Sequence, residues 1–421
     1  MEKNWYKLDN AAKLFPATYS RKAPTTFRLS AIFYEEVDKE ILQKAVDIAL
    51  ERFHPFNVQL KRGIFWYYLE RNYSKFYIKK ESPFGYQSVN INDDNSYLFN
   101  VFYNGKRVCL EIWHALTDAN GGMEFLKAIC FNYLKLKDVN IENNNTILTN
   151  DIPVNEEEGE DSFVKNFNPL DEKPNKVPRT FVISGDFSKF DNIGIIHGLL
   201  NVNQVKENAK LYDATITEYI GGCMLYSIYL TYKNNNPKNL PFVLFIPVNT
   251  RKIIDSKTLK NFMLYIRSTL NINEEVTLKN TINCIKNTLR VELNEKYLRS
   301  VIRGNVPVEK SLVIRSIPLS VKNFVMNLGY KIIGKGTTSI VFSNIGVVNT
   351  PEVMKQFVDR FEFGISPSES LPITFSGVSY NNKLVLTLSK KIKDKELIKN
   401  FFKLLSEENE VIINTNDLGG Q

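Results

Sequence analysis

The residue types best suited to chemistry stand together in one short segment, His114-Ala-Leu-Thr-Asp118-Ala-Asn-Gly121-Gly122. A neutral imidazole of ordinary pKa can take the proton of a hydroxyl, amine or thiol, so His114 is a candidate general base. The spacing of the His and the Asp says little by itself, because it arises by chance in roughly one such sequence in six. The prediction therefore depends on the elements that surround this segment.

These elements are predicted to present the His114 side chain at the rim of a sheet. Two β-prone runs, YLFNVFY and RVCLEIW, flank Asn104-Gly105, a dipeptide that favours the tight turn of a hairpin. The second strand ends at His114, and a polar loop shaped by Asp118 and two glycines covers residues 115 to 122. One apolar stripe then predicts a helix, formed by Phe125, Leu126, Ile129, Cys130, Tyr133 and Leu134.

The order strand, His-x-x-x-Asp, turn and helix resembles the HxxxDG motif of the coenzyme A-dependent acyltransferases, the superfamily of chloramphenicol acetyltransferase and of condensation domains. Three further segments carry the resemblance along the chain. They are PVNTR (Pro247 to Arg251), Lys260-Asn261-Phe262 and SNIG (Ser343 to Gly346). The bacterial alcohol acetyltransferase-like proteins are the branch that the sequence resembles most.

The resemblance implies a function and a role for each matching residue. An acyl group, acetyl by expectation, would pass from a coenzyme A thioester to a hydroxyl or amine of a small-molecule acceptor, with His114 as the general base. Asp118 would point away from the cleft and pair with Arg251, while Gly121 and Gly122 support the loop. Ser343 and Asn344 are candidate oxyanion or tunnel-lining donors, and their alternative interpretation is that of ordinary polar residues at a strand end.

Two departures from the family pattern leave alternatives open. Ala119 replaces the glycine that normally follows the Asp, which keeps open a catalytically silent member of the fold that only binds a ligand. An acyl carrier protein is an alternative donor, as in condensation enzymes, although Trp113 stands where that branch has a second His. The plant branch is disfavoured because Phe361-Glu362-Phe363-Gly364 is only a distant echo of its DFGWG segment.

The length and the pattern of elements predict an α/β (α+β) fold with two chloramphenicol acetyltransferase-like lobes. Each lobe is expected to be a mixed sheet flanked by helices, with an active-site tunnel between the lobes. With 421 residues the chain is too long for one simple core. We expect the first lobe at residues 1–150, a solvated linker at 151–180 and the second lobe at 181–421.

Composition narrows the classes of partner and cofactor. The net charge is +8, but the basic residues are scattered in singles and pairs, so no nucleic-acid partner is expected. His54, His114 and His197 form no paired metal-ligand motif, and a metal is not expected. The Gly329–Gly336 segment nearly matches a phosphate-binding loop but lacks its Ser or Thr, so it is interpreted as a turn.

The cysteines and the hydropathy pattern suggest a compartment. Four Cys without CxxC spacing indicate buried thiols in a reducing environment. The opening MEKNWYKLDN has no hydrophobic secretory segment, and no run of eighteen apolar residues occurs. A cytoplasmic monomer without integral membrane association is therefore expected.

Overall fold

Two large mixed β-sheets, each flanked by helices, form the protein. A computed structural model describes residues 4–415 apart from 21–23, 83–85, 88, 92, 175–176, 189–192, 273–274 and 330–335. The strands in chain order are β1 (Trp5–Lys7), β2 (Thr26–Phe33), β3 (Val58–Arg62), β4 (Tyr67–Arg71), β5 (Lys79–Lys80), β6 (Phe99–Asn104), β7 (Arg107–Trp113), β8 (Gly194–Asn201), β9 (Phe242–Asn249), β10 (Met263–Leu270), β11 (Ile340–Val347), β12 (Val358–Ile365), β13 (Ile373–Tyr380), β14 (Lys383–Lys390) and β15 (Ile412–Thr415). The helices are α1 (Leu14–Thr18), α2 (Lys39–Arg52), α3 (Ala119–Leu136), α4 (Ser162–Lys165), α5 (Val202–Leu211), α6 (Ile216–Tyr232), α7 (Leu278–Glu292), α8 (Glu295–Lys310), α9 (Leu312–Ser316), α10 (Leu319–Gly329) and α11 (Glu396–Ser406).

The first large sheet has the order β12-β2-β7-β6-β5, and the second has the order β10-β9-β11-β13-β14-β8-β15. Both are mixed, since β5 runs parallel to β6 and β11 runs parallel to β9 and β13. Helix α3 packs on β2 and β7, while α6 and α7 pack on β9 and β10. The predicted fold class, two lobes of mixed sheet and helix, is confirmed. A small sheet, β1-β4-β3, was not predicted.

Local signals in the sequence account for several element boundaries. The hairpin of β13 and β14 turns at Asn381 and Asn382, which both take positive φ, as the type I′ turn requires. In the hairpin of β6 and β7, Asn104 pairs with Arg107, so the turn is Gly105-Lys106 and lies one residue later than predicted.

Strand β12 belongs to the second half of the chain but completes the sheet of the first lobe. It pairs antiparallel with β2, from Val358 opposite Phe33 to Ile365 opposite Phe27. The predicted division of the chain at residues 150 and 181 assigns β12 to the second lobe, although the strand lies in the sheet of the first. The boundaries themselves stay a prediction.

The predicted solvated linker is partly interior. Glu158 is 4% exposed and forms a two-pronged ion pair with Arg52 of α2, with both N–O distances 2.8 Å. Its carbonyl oxygen also accepts a hydrogen bond from the backbone of Leu259 at 2.8 Å. A buried Arg requires such a partner, and the linker supplies it. This segment therefore ties the first lobe to the 258–262 region of the second.

A cavity of about 170 Å³ lies where β2 and β12 of the first sheet face β8 and β14 of the second. His197 of β8 lines this cavity and has two polar neighbours: Nδ1 is 2.9 Å from Thr387 Oγ1, and Nε2 is 3.4 Å from Glu362. Burial is the main cause that lowers the pKa of His197 to about 4; Glu362 opposes the shift, and Arg107, Arg28 and Arg360 add to it. The tunnel predicted at His114 is a different feature and stays a prediction.

His197 predicts a pH dependence of stability. Because its folded pKa lies below the ordinary value of 6.5, the unfolded chain binds the proton more readily between pH 6.5 and 4. The free energy of unfolding should fall by about 3 kcal/mol as the pH drops through this window. Glutamine cannot titrate, so the free energy of unfolding of His197→Gln should depend less on pH than that of wild type. Urea unfolding at several pH values measures this difference. An equally strong pH dependence in wild type and variant would contradict the low pKa of His197.

Candidate active site

His114 follows β7 directly, and its backbone is fixed where the strand ends. The amide N–H donates to the carbonyl of Thr25 at 2.9 Å, just before β2. The ring of Phe15 stacks on the imidazole with centroids 5.0 Å apart and an interplanar angle of 23°. Phe27 meets it edge-on at 5.3 Å. The imidazole is thus held between two aromatic side chains.

Asn261, two residues before β10, determines which nitrogen of His114 carries the proton. Its Nδ2 donates to the carboxylate of Asp9 and to the carbonyl of His114, both at 3.0 Å. Its Oδ1 therefore faces His114 Nδ1, at 2.9 Å. An amide oxygen only accepts hydrogen bonds, so Nδ1 is the protonated nitrogen. The lone pair of the neutral ring is then on Nε2.

Asp9 fixes Asn261 in turn. Its Oδ2 accepts from both the backbone and the side chain of Asn261, and its Oδ1 accepts from the amide of Ala12 at 2.8 Å. The carboxylate is buried, and burial raises its pKa while these hydrogen bonds oppose the rise. The turn at Asp9 also leads into α1, which carries Phe15 to the imidazole. Asp9, Asn261 and His114 thus form one hydrogen-bonded row.

The surroundings of His114 favour its neutral form. Burial lowers the pKa of the imidazole, and a hydrogen bond to the backbone of His114 itself, the charge of Asp118 and the Asn261 hydrogen bond only partly oppose this shift. A histidine with a pKa below 6.5 is mostly unprotonated at neutral pH, so Nε2 is able to accept a proton.

The Asp118 carboxylate is completely buried, and each of its oxygens holds a different segment. Oδ1 accepts from the amides of Asn120 and Gly121 at 3.1 Å and so caps α3. Oδ2 accepts from the Arg251 guanidinium at 2.8 Å and from the amide of Phe262 at 2.9 Å. The structure contains the ion pair expected between Asp118 and Arg251.

Arg251 extends this arrangement to the segment that carries Asn261. Its Nε donates to the carbonyl of Thr258 at 2.8 Å, and Nη2 donates to the carbonyl of Lys260. The guanidinium thus connects the Asp118 loop to residues 258–262. The position of Asn261 beside His114 follows from this connection.

Gly121 and Gly122 lie in the first turn of α3 and not in the predicted loop, because the helix already begins at Ala119. A Cβ at Gly121 would collide with Thr117 Oγ1 and with the Leu259 carbonyl. A Cβ at Gly122 would stand 2.7 Å from Ile112 Cδ1. The helix therefore needs glycine at position 121 to approach the backbone of the 258–262 segment, while a side chain at 122 would require the side chains of the sheet to shift.

Ser343 and Asn344 lie on β11, away from the hydrogen bonds of His114. The Asn344 side chain donates to Thr217 Oγ1 at 3.0 Å and accepts from the amide of Gly346 at 3.0 Å, so it joins β11 to the start of α6. Within the described chain, neither side chain hydrogen-bonds to His114, Asp118 or Arg251. Their role as oxyanion or tunnel-lining donors stays a prediction.

Sequence reasoning assigned no role to Asp9, Phe15 or Asn261. Asn261 stood inside a segment quoted for its resemblance, so a signal existed for it. For Asp9 and Phe15 there was no such signal, since Asp9 and Asn261 are 252 positions apart.

Four other features of the sequence can be located in the described part of the chain. Its residues include no group of three or more His, Cys, Asp or Glu side chains that could hold a metal ion. The four cysteines are free, and Cys109, Cys130 and Cys223 are buried, as predicted. No helix among these residues is long and apolar enough to span a membrane. Most of the phosphate-loop-like segment Gly329–Gly336 lies outside the described residues.

Comparison with solved structures identifies the fold. TRI101 of F. graminearum complexed with coenzyme A and deoxynivalenol matches with a TM-score of 0.64, over 97% of this chain and 99% of that chain, at 13% identity. This chain has the fold of the coenzyme A-dependent acyltransferases. Polyketide synthase associated protein 5 from Mycobacterium tuberculosis matches at 0.59, over 95% and 97% of the two chains with 14% identity. The wax ester synthase/diacylglycerol acyltransferase from Marinobacter aquaeolei VT8 matches at 0.55, over 95% and 98% with 11% identity.

Neither a scan of family models nor a search of curated proteins matched the sequence. At identities this low the likeness shows the fold alone. The chemistry must be argued from the residues of this chain.

The Asp118 arrangement predicts a large loss of stability on truncation. Asp118→Ala strands the Arg251 guanidinium and uncaps α3, which should lower the free energy of unfolding by about 3 to 5 kcal/mol. Glu35→Ala is a matched control, because the Glu35 side chain is 74% exposed and pairs with Lys137 at the surface. The control should unfold in urea much like wild type, because an exposed ion pair contributes little to stability. A loss of stability in Asp118→Ala as small as that in the control would refute the role assigned to Asp118.

Proposed function

We propose that the protein is an acyltransferase that moves an acyl group from a coenzyme A thioester to a hydroxyl or amine acceptor, with His114 as the general base. The observation that carries the proposal is the hydrogen bond between His114 Nδ1 and Asn261 Oδ1, which leaves the basic lone pair on Nε2. The fold supports it, and acetyl is the acyl group that the sequence resemblance favours.

The reaction balances without a covalent enzyme intermediate. The acceptor O–H or N–H gives its proton to Nε2 as the acceptor atom bonds to the thioester carbonyl carbon. The carbon–sulfur bond then breaks, and the Nε2–H of the imidazolium returns the proton to the departing thiolate. The products are an ester or amide and free coenzyme A. Such a base contributes about 10² to 10⁴ in rate.

The remaining residues act through His114. Asn261 and Asp9 hold the imidazole in one tautomer and orientation, so the ring need not reorganise during the proton transfer. Asp118 and Arg251 hold the loop against the 258–262 segment, which carries Asn261. Gly121 allows that segment to approach α3, and Gly122 allows α3 to approach the sheet.

Release of free coenzyme A tests this function directly. Wild type, His114→Ala and His54→Ala are compared on a panel of acyl-CoAs with alcohol and amine acceptors, using a thiol reagent. Turnover should fall by about 10² to 10⁴ in His114→Ala. His54→Ala, a histidine outside the site, should stay near wild type.

Two outcomes would refute the proposal. Equal rates for wild type and His114→Ala would exclude His114 as the base. Absence of turnover with every acyl-CoA, combined with transfer from or binding of an acylated carrier protein, would favour the condensation-type or the silent binding alternative.

The pH profile tests Asn261 separately. Because the reaction needs neutral His114, kcat/KM should decline only below about pH 6.5, as the imidazole becomes protonated. The Asn261 hydrogen bond raises the His114 pKa, so Asn261→Ala should move the acidic limb to lower pH. Loss of the oriented tautomer should also reduce kcat by about tenfold or more. A lower kcat with an unmoved limb would indicate a merely structural role.

A further inference from the structure

Helix α10 presents four of its apolar side chains to solvent. Val321, Phe324, Val325 and Leu328 are 48, 70, 57 and 47% exposed. Their spacing of three, four and seven residues places them on one face. Scattered exposed apolar residues need no explanation, but a continuous stripe on one helix does.

Three polar side chains of the same helix, those of Lys322, Asn323 and Asn327, point inward and fasten it to the protein. Lys322 is 4% exposed and donates to the carbonyl of Phe65 at 2.9 Å, with its ammonium 3.6 Å from the centre of the Trp66 ring. Asn323 donates to the hydroxyl of Tyr67 at 2.9 Å. Asn327 donates to the carbonyl of Ala17 in α1 at 3.1 Å. Helix α10 is thus held by polar contacts while most of its large apolar side chains face solvent; Leu319, at its start, is buried.

The stripe continues onto neighbouring elements. Ile64 and Phe65, in the turn between β3 and β4, are 78 and 43% exposed, and the amide of Leu319 donates to the carbonyl of Ile64 at 2.9 Å. Leu14 of α1, against which α10 packs, is 37% exposed. We call these seven side chains the docking face: Leu14, Ile64, Phe65, Val321, Phe324, Val325 and Leu328.

The charges around the docking face identify its partner. From residue 312 to 328 the charged residues are Arg315 and the inward-pointing Lys322, with neither Asp nor Glu. Exposed Arg62 precedes Ile64 by two positions, and the carbonyl of exposed Arg315 accepts from Lys322. An apolar face with a cationic surround matches an anionic lipid surface. Two copies joined through this face would bring like charges together.

We propose that the docking face binds the surface of an anionic phospholipid bilayer, with α10 lying in the plane of the interface. The docking does not depend on the proposed reaction. Its geometry has a consequence for that reaction, since α10 packs on α1 and α1 places Phe15 on the His114 ring. An acceptor or acyl chain dissolved in the bilayer would then lie one helix away from the proposed base.

Vesicle flotation tests the proposal. Wild type should float with vesicles of phosphatidylcholine and phosphatidylglycerol, and much less with phosphatidylcholine alone. Phe324→Asp/Val325→Asp should weaken binding by about tenfold or more. Arg62→Glu/Arg315→Glu should weaken it by about tenfold at low salt, with a smaller difference at high salt.

A matched control uses two apolar side chains outside the docking face. Leu211→Asp/Val291→Asp replaces side chains that are 78 and 72% exposed, and it should bind vesicles like wild type. Circular dichroism and thermal unfolding of each variant identify any loss of fold. Comparing His114→Ala with wild type in the same assay separates docking from catalysis, because both should float equally.

Three outcomes would overturn the proposal. The first is a wild type that floats with neither vesicle. The second is equal loss of binding in the control and in Phe324→Asp/Val325→Asp. The third is a dimer in solution that Phe324→Asp/Val325→Asp dissociates, without vesicle binding by wild type, which would make the face an interface between two copies.

Discussion

The arrangement around His114 depends on the hydrogen bonds and the ion pair of the buried Asp118 carboxylate. One oxygen caps the N-terminus of α3, and the other accepts hydrogen bonds from Arg251 and from the backbone amide of Phe262. Because the acceptor positions of this buried group are filled by donors from both lobes, its position is set by the whole fold and not by the loop alone. Asn261, one residue before Phe262, therefore reaches His114 only when the two lobes are assembled. The tautomer of the imidazole is in this sense a property of the interface.

The site combines an apolar environment with a polar row of residues. Phe15 and Phe27 exclude water from the faces of the ring, which penalises the imidazolium and keeps the base neutral. Asn261 is uncharged, so it orients the ring without the strong rise in pKa that a directly bonded carboxylate would cause. Asp9 supplies the negative charge one residue further away. Asn261 thus orients the base, while the apolar environment formed by Phe15 and Phe27 keeps its pKa low.

Features with local causes were predictable from the sequence, and features that depend on distant partners were not. Asp38 caps α2, and Thr215 with Glu218 forms the capping box of α6, because both signals act within four residues. The Asp118–Arg251 pair was accessible through two motifs. The residue pattern of a strand does not indicate which other strand pairs with it, so the pairing of β12 with β2 was not predicted. Likewise, periodicity locates the apolar face of α10 but not the direction in which it points.

The exchanged strand β12 has a consequence for synthesis of the protein. Strand β2 is buried along all eight of its residues and forms the edge of the first sheet until β12 pairs with it. On the ribosome, the chain must therefore wait for most of the second lobe before this apolar edge is covered. Unpaired apolar edges recruit other strands, so the nascent first lobe is a species that chaperones would have to shield. The same topology makes a separately expressed first lobe an incomplete sheet.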